Sequence, residues 1–349
     1  MPFFILSQRI QFNNNQKGNV TMNRTIKWGI MGTGQIARKF AKDLKFVTDA
    51  ELLGVGSRHK SSADEYGDRF DVPHRYAGYY ELASDPDIDV IYIATPHSMH
   101  HDNSLLCLSA GKHVLCEKPF TINKRQAEEV IGAARDNNLF LMEAMWSRFV
   151  PIYQKVREWI KNGRIGTVRM ITADFGFRAP LDADHRLFNL ELGGGALMDV
   201  GIYTLDLPKW ILKKKPRVIK SWAEIGKTGV DEQSGYILGY DEGEMAVLSS
   251  AVRTQTPQEA VIMGTDGSIK IHSPFWNSQK VTITDSGENS TISYPIENGL
   301  GYQFEAMEVM DCLRKGKFES DIMPLQTTLE NMQLLDTIRD QWGLKYPGE

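Results

Sequence analysis

The chain has 349 residues, 42% of them hydrophobic and 24% charged, with a formal net charge of −4. That length is too great for one ordinary core and sets two domains as the expectation. The mildly negative balance offers no basic field for nucleic acid, and no apolar run approaches the roughly 20 residues that span a membrane.

Residues 1–23 read as a disordered extension. Their polar run, Gln11 to Gln16, has no periodic apolar face to bury. No cleavage site of small residues marks a signal peptide, and Met22 stands as a natural alternative start. From Ile26 to Met31 the chain alternates as a strand does. Gly32, Thr33, Gly34, Gln35, Ile36 and Ala37 follow at once, then a helical stretch to Leu44. This is G-x-G-x-x-A between strand and helix. The first glycine makes a tight turn, the second lets backbone approach a pyrophosphate, and the small Ala37 lets helix pack on strand.

The next strand, Glu51 to Gly56, ends in Ser57, Arg58, His59 and Lys60. A site for NAD usually carries an acid about 20 residues past the glycines, to hold the ribose hydroxyls. Here that acid is missing and a guanidinium stands close by, which favours the 2′-phosphate of NADP. The alternative is a solvated loop charge at Arg58. Asp64 to Phe70 reads as a helix broken by Pro73, and Tyr76 begins a short edge segment.

Ile88 to Ala94 is a buried strand ending at Thr95, Pro96 and His97, with Ser98 expected to cap a helix to Ser109. His97, His100 and His101 lie close together, but no carboxylate or cysteine completes a metal-ligand set at motif spacing. His100 suits a polar contact near a cofactor. The strand Val114 to Cys116 leads to Glu117, Lys118 and Pro119. Proline stops it, so Lys118 is expected at the carboxyl end of a sheet strand, where ligands of open α/β sheets bind. Taken alone, Lys118 is either a phosphate or carbonyl contact or a solvated charge. Asn123 caps a helix from Lys124 to Asn137, and Leu139 to Glu143 is a further strand. The repeated β-α units predict a doubly wound parallel sheet.

Three stretches taken together resemble the Gfo/Idh/MocA oxidoreductase family: the Gly32 to Ala37 loop, Ala94-Thr95-Pro96-His97 with His100, and Glu117-Lys118-Pro119. Two more, Glu143 to Phe149 and Gly193 to Tyr203, are similar to its dihydrodiol and NADP-dependent D-xylose dehydrogenase branch. Tyr203 stands where the inositol dehydrogenase branch usually has histidine. The resemblance implies NADP as cofactor, Lys118 and Tyr203 as catalytic residues with Asp199 beside them, and a pocket lined by aromatics. Trp146, Phe149, Phe177 and Trp276, with Arg148, are the expected substrate contacts.

After Pro151 the chain predicts a helix, Tyr153 to Asn162, stopped by Gly163. The pattern then alternates over Val168 to Phe177, Val218 to Ile225, Ser234 to Tyr240, Ala246 to Val252, Glu259 to Thr265, Ile269 to His272 and Lys280 to Thr284. This predicts a second, α+β domain with a large, mostly antiparallel open sheet. Its helix is Ala196 to Leu212, placing Asp199 and Tyr203 on one face, and a last helix runs from Leu325 to Trp342. The expected division is residues 24–145 for the nucleotide and 146–349 for substrate and dimer contacts, with the last helix able to pack back on the first domain.

The expected chemistry is hydride transfer between NADP and a hydroxyl or carbonyl carbon of a small sugar or cyclic diol. Lys118 is expected to lower the pKa of Tyr203, and Asp199 to orient Lys118 or the substrate. A keto- or anhydro-sugar reductase would use the same residues, and a non-catalytic NADP sensor would need none of the three together. Three scattered cysteines, Cys107, Cys116 and Cys312, suggest a reducing cytoplasm. Leu248, Ser250 and Val252 alternate with Ser249, Ala251 and Arg253, so neither face of that strand reads as built for water. A homodimer joined sheet to sheet is the expectation, with a charge at Val252 as its probe.

Overall fold

The structure is a computed structural model described over residues 24–349. The expected extension, residues 1–23 with Met22, lies outside the described residues. The first unit runs β1 (Ile26–Met31), α1 (Gln35–Leu44), β2 (Ala50–Gly56), α2 (Lys60–Phe70), β3 (His74–Tyr76), α3 (Tyr79–Ala83), β4 (Val90–Ile93), α4 (His100–Ser109), β5 (His113–Glu117), α5 (Lys124–Asp136) and β6 (Leu141–Ala144). Its strands pair in parallel in the order β3-β2-β1-β4-β5-β6. The order reverses between β1 and β4, which opens a crevice at their carboxyl ends.

The local reasons are legible. Apolar side chains of α1 recur at helical spacing, and Ala37, Phe40, Ala41 and Leu44 are buried. Phe40 stacks on Tyr92 of β4 with ring centroids 3.9 Å apart. Asn123 caps α5 by accepting the Gln126 N–H at 2.9 Å, while the Gln126 side chain accepts the Ile122 N–H. Ser98 does not act as a cap. A 3-10 turn, His97–Met99, leads directly into α4, and no side chain caps either segment.

The second unit runs α6 (Pro151–Lys161), β7 (Val168–Gly176), α7 (Ile202–Leu212), β8 (Val218–Ile225), β9 (Asp231–Gly239), β10 (Met245–Ala251), β11 (Ala260–Gly264), β12 (Gly267–Ile271), β13 (Lys280–Asp285), β14 (Glu288–Ser293), α8 (Tyr302–Arg314) and α9 (Leu325–Trp342). Its sheet has the order β14-β13-β12-β11-β7-β10-β9-β8, antiparallel except where β7 meets β10. The polar strand β14 and the helix α8 are additions to the sequence expectation.

Register explains the two faces of this sheet. One cross-strand row carries Ile219, Leu238, Ala246, Ile171, Ile262, Ile269 and Ile283. All but Ile219 are buried there, and burying each isoleucine is worth about 1.5–3 kcal/mol. The adjacent row, on the opposite face, carries Lys220, Ile237, Val247, Thr172, Val261, Lys270 and Thr282. Strand β10 is therefore sided after all. Val252, just beyond it, is fully buried, so a charge there would report on folding rather than on association.

Helix α9 lies against α5, with the Lys124 N–H donating to Asp336 at 2.9 Å and Arg339 to the Ile122 carbonyl at 3.1 Å. The two sheets thereby flank one cleft.

Candidate active site

A cleft of about 840 Å³ runs from the glycine loop across the ends of β2, β4 and β5 to the start of α7. Gly32 has φ of +102°, and a Cβ there would come within 2.9 Å of the Ala94 carbonyl oxygen, so the turn needs glycine. Gly34 borders open space instead. Behind it α1 starts with no side-chain cap and no acid in its first turn, which leaves its N–H groups facing the cleft. Gly32, Thr33, Gly34, Gln35, Ile36, Ser57, Arg58, Thr95, Pro96, His97, His100, Glu117 and Lys118 all line this space. Arg58 is exposed and makes no ion pair among the described residues. These features fit a dinucleotide whose ribose carries a phosphate.

The three neighbouring histidines each have a different task. His97 Nδ1 lies 2.8 Å from the Gly193 carbonyl and ties the first unit to the glycine run. His100 is fully buried between the carbonyls of Thr95 and Pro119, both 2.9 Å away. Burial pushes its pKa down to about 4, so the neutral ring donates to one of them at a time. His101 faces Asp102 and Glu129.

The Lys118 ammonium donates to the backbone carbonyl of Asp199 at 2.7 Å and lies 3.7 Å from its carboxylate oxygen Oδ1. It sits over the face of the Tyr203 ring, 4.9 Å from the centroid. Lys118 thus meets Tyr203 through a cation–π contact with its ring. Burial, then Tyr302 and Glu117, raise the Tyr203 pKa well above its ordinary value. This corrects the expectation that Lys118 lowers it. The Tyr203 hydroxyl accepts the Trp146 indole N–H at 2.8 Å, so its own proton is left for the cleft.

A π-type turn, Leu197–Gly201, precedes α7 and carries Asp199. Such widened turns recur at functional sites. Arg186 donates to Asp199 Oδ1 at 2.8 Å. Burial opposes ionisation of Asp199, yet the Arg186 guanidinium, then Lys118, hold its pKa well below the usual carboxylate range. Beneath the site, Glu117 accepts the Tyr92 hydroxyl and the Lys118 N–H. Burial, then the neighbouring Glu117, push the pKa of the fully buried Glu305 strongly upward.

On the far side of the cleft Trp276 stacks on Phe175, with centroids 3.4 Å apart, and Tyr302 stacks on Trp146. Trp146, Phe177 and Trp276 line the space as anticipated by position. Arg148 and Phe149 do not. Arg148 is only 5% exposed and grips Asp206 with two hydrogen bonds of 2.7 and 2.6 Å, because a buried guanidinium needs a carboxylate partner. Phe149 is buried in the core at the foot of α6. Arg186 and Tyr302 were not found from sequence. Arg186 comes from an irregular loop and Tyr302 from the unpredicted α8, so no periodic signal marked either.

The chain matches the model of the Gfo/Idh/MocA oxidoreductases, NAD-binding Rossmann fold, over residues 26–145, and that of the Gfo/Idh/MocA C-terminal domain over residues 153–270. It is 38% identical over 329 residues to trans-1,2-dihydrobenzene-1,2-diol dehydrogenase of Xenopus laevis, covering 92% of this chain and 99% of that one. The chain belongs to the Gfo/Idh/MocA oxidoreductase family. It is also 36% identical over 369 residues to D-xylose 1-dehydrogenase (NADP(+)) of Hypocrea jecorina, covering 93% of each. In fold it resembles aldose-aldose oxidoreductase from Caulobacter crescentus, with a TM-score of 0.83 at 24% identity over 92% of this chain and 98% of that one.

Proposed function

We propose that the protein is an NADP-dependent oxidoreductase that interconverts a hydroxyl and a carbonyl on a small sugar or cyclic diol. The observation that carries this reading is the convergence of Lys118, Asp199 and Tyr203 where the dinucleotide crevice meets an aromatic wall. The nicotinamide, when bound, supplies or accepts the hydride. Lys118 stabilises negative charge on the substrate oxygen. Tyr203 exchanges the proton with that oxygen, and Trp146 fixes the direction of its hydroxyl. Asp199 Oδ2 accepts no hydrogen bond from the described residues and is open to a second substrate hydroxyl. The flat rings of Phe175 and Trp276 suit a sugar face or a cyclic diol.

A panel of aldoses, cyclitols and trans-diols, assayed for NADP reduction, tests the substrate class. Turnover of an aldose or diol supports it, and silence across the panel in both directions would return the chain to a cofactor-sensing role. The raised pKa of Tyr203 favours reduction of a keto- or anhydro-sugar as the second reading, because the phenol keeps the proton that a reduced carbonyl takes up.

Residues 24–145 serve as the nucleotide domain in this reading, and residues 146–349 carry substrate and dimer contacts. Arg58 should prefer NADP over NAD by at least tenfold in kcat/KM, about 1.4 kcal/mol, and Arg58→Asp should invert the ratio. A wild-type preference for NAD would refute the role given to Arg58.

Assembly as a homodimer rests on the open sheet face. Val218, Trp222, Ile237 and Val247 are 39%, 63%, 48% and 40% exposed on one side of β8, β9 and β10. Several exposed apolar side chains on one sheet face, interrupted by Lys220, suit a partner surface. Light scattering should give about twice the 39.5 kDa of one chain, and Trp222→Asp should shift it to the single-chain mass. A wild-type protein at the single-chain mass would end the dimer reading. A cytoplasmic setting agrees with Cys107, Cys116 and Cys312 all being free and buried. No helix of the described residues is long and apolar enough to cross a membrane.

A further inference from the structure

Asp199 holds the key to a charge problem in the cleft. It is one of the cleft's carboxylates, it is 6% exposed, and two cations reach the same oxygen, Oδ1. Arg186 Nη1 is in hydrogen-bond contact at 2.8 Å, whereas Lys118 Nζ stands off at 3.7 Å. Lys118 is instead tethered to the neutral backbone carbonyl of the same residue at 2.7 Å. A carboxylate beside a lone lysine ordinarily draws the ammonium into direct contact, since buried charges are stable only when paired. Here the planar guanidinium has taken that position.

We propose that Arg186 is a positioning residue that occupies Oδ1 of Asp199 and so keeps Lys118 from collapsing onto that oxygen, leaving the ammonium free to polarise the substrate oxygen and Oδ2 free for a substrate hydroxyl. This rests on the role of Lys118 given under Proposed function.

The arrangement is built for it. Arg186 comes from the loop between β7 and the glycine run, and its side chain is 47% exposed, so water solvates the part of the guanidinium that Asp199 does not use. Lys118 and Asp199 lie deeper, with side chains 12% and 8% exposed. Without Arg186 a movement of about 1 Å brings Lys118 Nζ from its 3.7 Å separation into hydrogen-bond contact with Oδ1. That contact would pair the ammonium and weaken its pull on substrate. Arg186 therefore acts through Lys118 and is not expected to touch the reacting atoms.

The test is a double-mutant cycle on the full chain, with NADP and the substrate found by the panel. Arg186→Gln should lower kcat at least tenfold with KM changed less than threefold, and Arg186→Lys should regain most of the loss because it restores the charge on Asp199. In an Asp199→Asn background there is no carboxylate to trap Lys118, so Arg186→Gln should then change kcat less than twofold. Equal losses in both backgrounds would overturn the inference, since Arg186 would then act on substrate or on folding; so would a kcat loss below threefold in the wild-type background. Lys118→Met is measured in parallel. If it keeps near-normal turnover, the reading of Lys118 itself fails. If it loses turnover while Arg186→Gln does not, only the role of Arg186 fails.

Discussion

Tyr203→Phe is expected to lower kcat by roughly 10²-fold or more, the scale of a lost general acid or base, while NADP affinity changes far less. The substitution removes one oxygen and keeps the ring, so the aromatic contact with Lys118 and the neighbouring Phe175 persists. What is lost is the hydroxyl that Trp146 orients at 2.8 Å. The direction of the pKa shift adds a second readout. A free phenol loses its proton near pH 10, and burial raises Tyr203 above that. The group is therefore protonated throughout the neutral range, so reduction of a carbonyl should be flat with pH there. Oxidation of a hydroxyl needs the proton removed and should keep rising with pH. That rise should vanish in Tyr203→Phe. A variant with near-normal turnover would remove tyrosine from the chemistry and leave Lys118 as the main donor.

Lys118→Met should also lower kcat by roughly 10² or more, through loss of electrostatic stabilisation rather than of a proton carrier. Methionine keeps much of the side-chain volume but removes the charge beside Asp199. That carboxylate would retain Arg186 as its partner, at 2.8 Å, so the protein should still fold. Since Lys118 also lines the cofactor crevice, NADP should bind more weakly than it does to Tyr203→Phe. Kinetics and a cofactor titration on the two variants separate these roles. Unchanged cofactor affinity in Lys118→Met would place the lysine on substrate alone, and unchanged kcat would remove it from the chemistry.

The first unit was readable because its signals are local. A glycine turn between strand and helix, an Asn cap three residues before Gln126 and a proline after Lys118 each dictate geometry within a few residues. Strand alternation in the second unit carried the sheet for the same reason, and α9 was legible as Leu325 to Trp342 because Pro324 and Gly343 bracket it. The strand β14 was not, since Glu288, Asn289 and Ser290 present no apolar face. Side-chain partners across the chain were not legible either. Nothing near Arg148 in sequence announces Asp206, yet that pair turns the arginine away from the cleft. Arg186 and Tyr302 reach the cleft from an irregular loop and from α8, over separations that periodicity does not encode. The ordering of charges around Tyr203 likewise depends on where Lys118 lands. Position in the strand put Lys118 beside the tyrosine ring, but the Asp199 carbonyl decided that it faces the ring and not the hydroxyl.

Direct hydride transfer in this cleft is read most plainly by isotope. The protein is given NADP and the aldose or diol that the panel identifies, deuterated at the carbon bearing the reactive hydroxyl, and the NADPH formed is analysed by mass. Transfer of deuteride from that carbon to the nicotinamide, assisted by Lys118 and Tyr203, puts one deuterium into each NADPH, and Lys118→Met and Tyr203→Phe slow its appearance by about 10². Unlabelled NADPH, or labelled NADPH formed as fast by both variants, would contradict it.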